Sequence, residues 1–151
     1  MSHQAFEDLL ESNRGGVWFL PTHVEPKALQ AAAKKNGYAF FHFEGKNIGR
    51  KEQLLNHAAT ALHFPADFGH NWDALEECLT DLEWVDADGY VIYYDHIDGL
   101  LNTHPDQFDT LVEILRDAVA SWKEDDTAMV VLLSGDKAPK GVGKLKESEK
   151  D

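Results

Sequence analysis

Tyr90-Val91-Ile92-Tyr93-Tyr94 and Thr127-Ala128-Met129-Val130-Val131-Leu132-Leu133 are two runs that stay apolar, or aromatic, without a polar residue at every second position. A strand with one wet face alternates, whereas a strand covered on both faces reads as a continuous run. Between them, residues at about 106–123 repeat Phe108, Leu111, Val112, Leu115, Ala118, Val119 and Trp122 at helical spacing, and Pro105 suits the first position of that helix. Strand, helix, strand in this order predicts a right-handed crossover between parallel strands.

Working outward, two shorter apolar runs at 17–20 and 38–43 read as further strands, and helical patterns occupy 25–36, 51–62 and 72–82, with a short helical turn at 97–102. The predicted fold is α/β: a small parallel sheet of three to four strands packed with helices. A short crossover commonly joins neighbours, so 17–20 is expected beside 38–43. Residues 1–16 form an N-terminal extension with one amphipathic stretch at 5–10, residues 17–134 form a single domain, and residues 135–151 form a tail. The tail carries Lys137, Lys140, Lys144, Lys146 and Lys150 with almost nothing apolar, and is expected to be disordered.

At 151 residues, the chain has the size of one domain able to bury a core. No apolar run approaches ~18 residues, and residues 1–16 lack the basic-then-apolar pattern of a signal peptide, so a cytoplasmic protein with no membrane span is expected. Cys78 has no second cysteine in the chain, which excludes an internal disulfide and a thiolate metal cluster. The net charge of −13 repels phosphate backbones, so nucleic acid is a poor ligand and a basic partner a good one.

The charge is also segregated. Seven Lys and Arg precede residue 52 and seven follow residue 115, while residues 52–115 hold fourteen acids and no Lys or Arg. Within this segment, Asp73, Glu76, Glu77 and Thr80 fall at i, i+3, i+4 and i+7 of the helix predicted at 72–82, opposite Leu75, Cys78, Leu79 and Leu82. Asn71 suits the N-cap and Asp73 the first turn, where the helix dipole favours an anion. Glu76 and Glu77 have less structural excuse. A row of carboxylates without intrinsic partners suits a cationic pocket shaped for phosphates, because each accepts charge-assisted hydrogen bonds from Arg, Lys or protonated His.

The stretch Phe64-Pro65-Ala66-Asp67-Phe68-Gly69-His70-Asn71-Trp72-Asp73-Ala74-Leu75-Glu76-Glu77-Cys78-Leu79-Thr80-Asp81 resembles the barstar family, small intracellular inhibitors of secreted bacterial ribonucleases. The shared frame is a proline, an aromatic-Gly pair, Asn-x-Asp-Ala-Leu and an acid followed by Cys-Leu-Thr. The resemblance extends from about Tyr38 to Leu133, with Leu115-Arg116-Asp117-Ala118 similar to the family's second acidic contact helix, and leaves the strand-helix unit before Tyr38 as an addition. It implies a monomeric inhibitor without cofactor or metal, whose partner is a basic secreted ribonuclease or similar basic toxin. The contact or loop-shaping positions it implies are Gly69, Asn71, Asp73, Glu77 and Thr80, with Asp117 more distant; Asp67, Phe68 and Glu76 are added as partner-binding candidates in the same loop and stripe. Glu77 stands where the best-known member has an aspartate, Glu76 where it has a tryptophan, and Asp67 and Phe68 replace two tyrosines.

Competing chemistries find less support. His57, His63, Asp67 and His70 contain no close ligand pair for a metal. Glu76 and Glu77 are neighbours on one helix rather than carboxylates facing each other across a cleft, as glycoside chemistry needs. Cys78 lies on the core arc, where a thiol behaves as a small hydrophobe rather than a nucleophile. The alternatives retained are an immunity or interaction protein for another basic toxin and, from a different class, a small hydrolase. A hydrolase would show a concave pocket with convergent titratable groups.

Overall fold

In the computed structural model, which describes residues 4–145, the chain runs α1 (Gln4–Glu11), β1 (Gly16–Leu20), α2 (Pro26–Lys35), β2 (Tyr38–Glu44), a 3-10 turn (Gly45–Asn47), α3 (Lys51–Leu62), α4 (Trp72–Asp81), β3 (Gly89–Asp95), α5 (Asp98–Thr103), α6 (Pro105–Glu124) and β4 (Met129–Ser134). The four strands form one all-parallel sheet in the order β1-β4-β3-β2. The two continuous apolar runs are the two central strands, and every residue of β3 and β4 is buried. Among the described residues no helix is long and apolar enough to cross a membrane.

The position of β1 corrects the expectation that it would lie beside β2. It pairs with β4 in parallel, Val17 opposite Val131 and Phe19 opposite Leu133, at the far edge of the sheet. The reason lies in the central strands, whose two apolar faces both need cover. The connection from β1 to β2 crosses the whole sheet in one direction, and β2 to β3 to β4 steps back in the other. Right-handed crossovers running in opposite senses put their helices on opposite faces. Accordingly, α1 and α2 cover Val91, Tyr93, Val130 and Leu132 on one face, through Phe6, Leu9, Leu10, Leu29 and Ala33. On the other face, α3, α4, α5 and α6 cover Ile92, Tyr94, Val131 and Leu133. Had β1 stood beside β2, its crossover would have wound with the others and left one face bare.

The N-terminal amphipathic stretch is therefore a packed helix, with Ala5, Phe6, Leu9 and Leu10 buried. The tail also departs from expectation. Residues 135–145 are not a disordered segment: the Phe19 N–H donates to the Gly143 carbonyl (2.8 Å), the Leu145 N–H donates to the Phe19 carbonyl (3.0 Å), and Val142 is buried. This strip satisfies the outer edge of β1, which would otherwise expose unpaired backbone groups. The expectation for residues 146–151 lies outside the described residues.

Candidate functional site

The acidic helix is set by its caps. His63, at φ 55°, ends α3 in the left-handed conformation and turns the chain into the loop 63–71. Asn71 then caps α4, its side-chain oxygen accepting from the Ala74 N–H at 2.7 Å. Leu75 and Leu79 are buried against the core, and Leu82 ends the helix at φ 46°. At the far end the Trp122 Nε1–H of α6 donates to the Leu79 carbonyl at 2.8 Å, tying α4 to α6.

With its apolar side fixed, α4 presents the acidic stripe outward. Asp73, Glu77 and Asp81 are exposed, and Glu76 and Thr80 are partly buried. Among the described residues none of these carboxylates forms an ion pair; the Lys and Arg pairing seen is Arg50 with Glu52. Lys51 lies over the Trp72 ring at the start of α4, 5.1 Å from its centroid. The Thr80 hydroxyl turns back to the carbonyls of Glu76 (2.9 Å) and Glu77 (3.1 Å), so its proton is engaged within the helix.

The loop contributes differently from what its sequence suggests. Asp67, Gly69 and Asn71 are exposed, but Phe68 is buried, its ring against Phe64 at 4.9 Å and His70 at 4.8 Å. Phe68 thus pins the loop from below instead of offering an aromatic surface to a partner. The left-handed conformation that shapes the turn belongs to His70, at φ 54°, and not to Gly69. Asp117 is exposed on α6, and its neighbour Arg116 turns its guanidinium to the Gly141 carbonyl. No hydrogen bond or ion pair links Asp117 to the α4 acids among the described residues.

Cys78 reports on the local field. It is half-buried, and burial pushes its thiol pKa up, with the carboxylates of Asp81, Glu77 and Asp67 adding to the rise. The loop acid Asp67 and the helix acids Glu77 and Asp81 therefore act on the same thiol. A thiol so placed stays protonated, the opposite of what a nucleophile requires.

One cluster was missed by sequence reasoning. At the carboxyl end of the sheet, Asp95 is buried and surrounded by His42 (2.9 Å), His23 (3.3 Å) and His96 (3.3 Å), while the Gly45 N–H donates to its Oδ1 at 3.1 Å. Burial alone would raise its pKa, but the hydrogen bonds from His42 and Gly45, the His42 charge and the His96 contact outweigh this and hold the carboxyl below its ordinary range. The four side chains come from the β1–α2 loop, β2, the end of β3 and the residue after it. The one usable signal was the rule that ligands of open α/β sheets gather at strand carboxyl ends. The histidines weighed from sequence do not converge: His57 contacts the Gln53 carbonyl and His70 that of Phe68.

The profile of the family Barstar (barnase inhibitor) matches residues 38–134. The chain belongs to the barstar family. The matched segment begins at β2 and ends at β4, and so contains the acidic loop, α4, α6 and the strands that position them. It leaves α1, β1, α2 and the strip 135–145 outside. A comparison with curated proteins returns no match. Members of the barstar family are ribonuclease inhibitors rather than enzymes, and membership suggests an inhibitor-like role for this chain.

Proposed function

We propose that this barstar-family chain inhibits a basic ribonuclease by laying α4 and the loop before it across the nuclease active site. The observation that carries the reading is the exposed, ion-pair-free row of Asp73 and Glu77, with Glu76 beside it and Asp67 contributing to the same field. Asp73 and Glu77 would take the places of substrate phosphates, accepting hydrogen bonds from the nuclease's cations. The basic-free segment 52–115 would raise the encounter rate by long-range attraction. Gly69 and Asn71 would let the loop approach closely, and Asp117 would add an outer contact. In this role the protein works as a monomer in the bacterial cytoplasm, conferring immunity to a secreted toxin, with no part for nucleic acid or membrane.

Glu77 sets the specificity. Its side chain is one methylene longer than the aspartate of the best-known member, so Glu77→Asp would favour a barnase-like enzyme over the natural target. The test is titration of a barnase-type basic ribonuclease with the full chain at low salt, following cleavage of a fluorogenic RNA. Stoichiometric loss of cleavage is expected. Undiminished cleavage together with no complex on gel filtration contradicts a barnase-type target, and recovery of a non-nuclease basic toxin on the immobilised chain would favour immunity against that toxin.

A further inference from the structure

The cluster at the carboxyl end of the sheet lies on the face covered by α1 and α2, opposite α4. Strand alternation puts it there. His42 is paired in register with Tyr93, and Asp95 follows two residues later on the same side of β3. The His42 ring stacks on Tyr93, with centroids 5.6 Å apart. The Tyr93 hydroxyl donates to the Val24 carbonyl (2.8 Å) and meets Ser134 (3.2 Å), which fixes the loop carrying His23. His96 is held at φ 47°, a left-handed conformation that L-residues seldom adopt, and its Nδ1 faces Asp95.

We propose that His23, Asp95 and His96 form a binding site for a zinc-like divalent transition-metal ion. Donors bound at ~2.0–2.1 Å in a tetrahedron stand about 3.3–3.4 Å apart. His23 Nε2 lies 3.3 Å from Asp95 Oδ2 and His96 Nδ1 lies 3.3 Å from Oδ1, so the imidazoles flank the two oxygens of one carboxylate, and one donor atom from each residue lies within 4.8 Å of the others. Small rotations of two accessible rings bring them onto one ion, because the side chains of His23 and His96 are 39% and 47% exposed. The same exposure leaves the fourth position open to water. Asp95 is the fixed ligand: its side chain is 5% exposed, and the His42 Nε2–H and Gly45 N–H each hold one of its two oxygens. A buried carboxylate oriented by outer hydrogen bonds is the usual support of a metal ligand. Two imidazoles and one carboxylate select zinc, copper or nickel over calcium and magnesium, which require mostly oxygen donors.

The test is calorimetric titration of the chelator-treated full chain with zinc chloride at neutral pH, repeated with cobalt to read the visible band of a four-coordinate site. One equivalent is expected to bind and to raise the unfolding temperature. His23→Ala and His96→Ala, both at accessible positions that leave the core intact, should each weaken binding at least tenfold. His42→Ala, which removes an outer support, should weaken it by ~10–100-fold. His57→Ala should leave zinc binding unchanged. Absence of saturable binding, or binding that survives His23→Ala and His96→Ala, or binding lost in His57→Ala, overturns the proposal. None of these outcomes bears on ribonuclease inhibition.

Discussion

Replacing Trp122 by phenylalanine removes one hydrogen bond between the acidic helix and the rest of the protein. The indole N–H donates to the Leu79 carbonyl at 2.8 Å, and that carbonyl belongs to the last turn of α4, where no later residue of the helix can reach it. Phenylalanine keeps an aromatic ring where the indole lies 4.9 Å from Tyr90 between centroids, and removes the donor together with part of the bicyclic ring. The half-buried acceptor is then left unpaired, a loss of ~1–3 kcal/mol. For a domain of this size the urea midpoint should fall by roughly 0.5–1.5 M at an unchanged slope. Amide exchange should accelerate at Leu82, whose N–H closes the helix on the Cys78 carbonyl, more than at Leu75, whose N–H bonds to the Asn71 carbonyl. A midpoint within ~0.2 M of wild type, or equal acceleration at both amides, would refute the idea that α6 clamps the end of α4.

Tyr94→Phe should leave stability unchanged or raise it by ~1 kcal/mol in a thermal melt, since the buried Tyr94 hydroxyl has no hydrogen-bond partner among the described residues; a clear loss would reveal one. Gly45→Ala should cost ~3 kcal/mol in chemical denaturation, because an added Cβ would collide with the backbone carbonyls of Asp95 and His96 and nothing flexible lies in the way to yield. Cys78 should react with iodoacetamide more slowly than a free thiol at pH 8 and speed up only at higher pH, as its raised pKa keeps the thiolate scarce; Glu77→Gln and Asp81→Asn should each accelerate it, and an unchanged rate in both would deny the shared field.

What the sequence revealed and what it hid follow from where each kind of information resides. The central strands were legible because burial on both faces leaves a mark on every residue, as in Tyr90 to Tyr94. The outward face of α4 was legible because Leu75 and Leu79 fix its orientation locally. Strand order was not, since the position of β1 depends on which face of β3 and β4 still lacked cover. The strip after Ser134 was hidden because it is held largely by main-chain bonds to Phe19, which side-chain patterns do not record. The burial of Phe68 depends on its ring contacts with Phe64 and His70, which the sequence does not display. The group around Asp95 joins residues far apart in the chain and becomes visible only once β2 and β3 are placed in register.

The most direct test of the inhibitory account is to measure association and dissociation rates of the wild-type chain with its ribonuclease at two ionic strengths, alongside Asp73→Ala, Glu77→Ala and Glu83→Ala. Truncating one side of a desolvated charge pair typically costs ~2–5 kcal/mol, a range to which the barnase–barstar pair itself contributed, and the loss appears chiefly in dissociation. Asp73→Ala and Glu77→Ala should therefore release the enzyme roughly thirty- to several-thousand-fold more readily. Glu83→Ala, exposed one residue beyond the α4 cap, should mainly slow association and flatten its salt dependence. If Asp73→Ala and Glu77→Ala inhibit as tightly as wild type, the stripe on α4 is only a solvated face and the account is wrong.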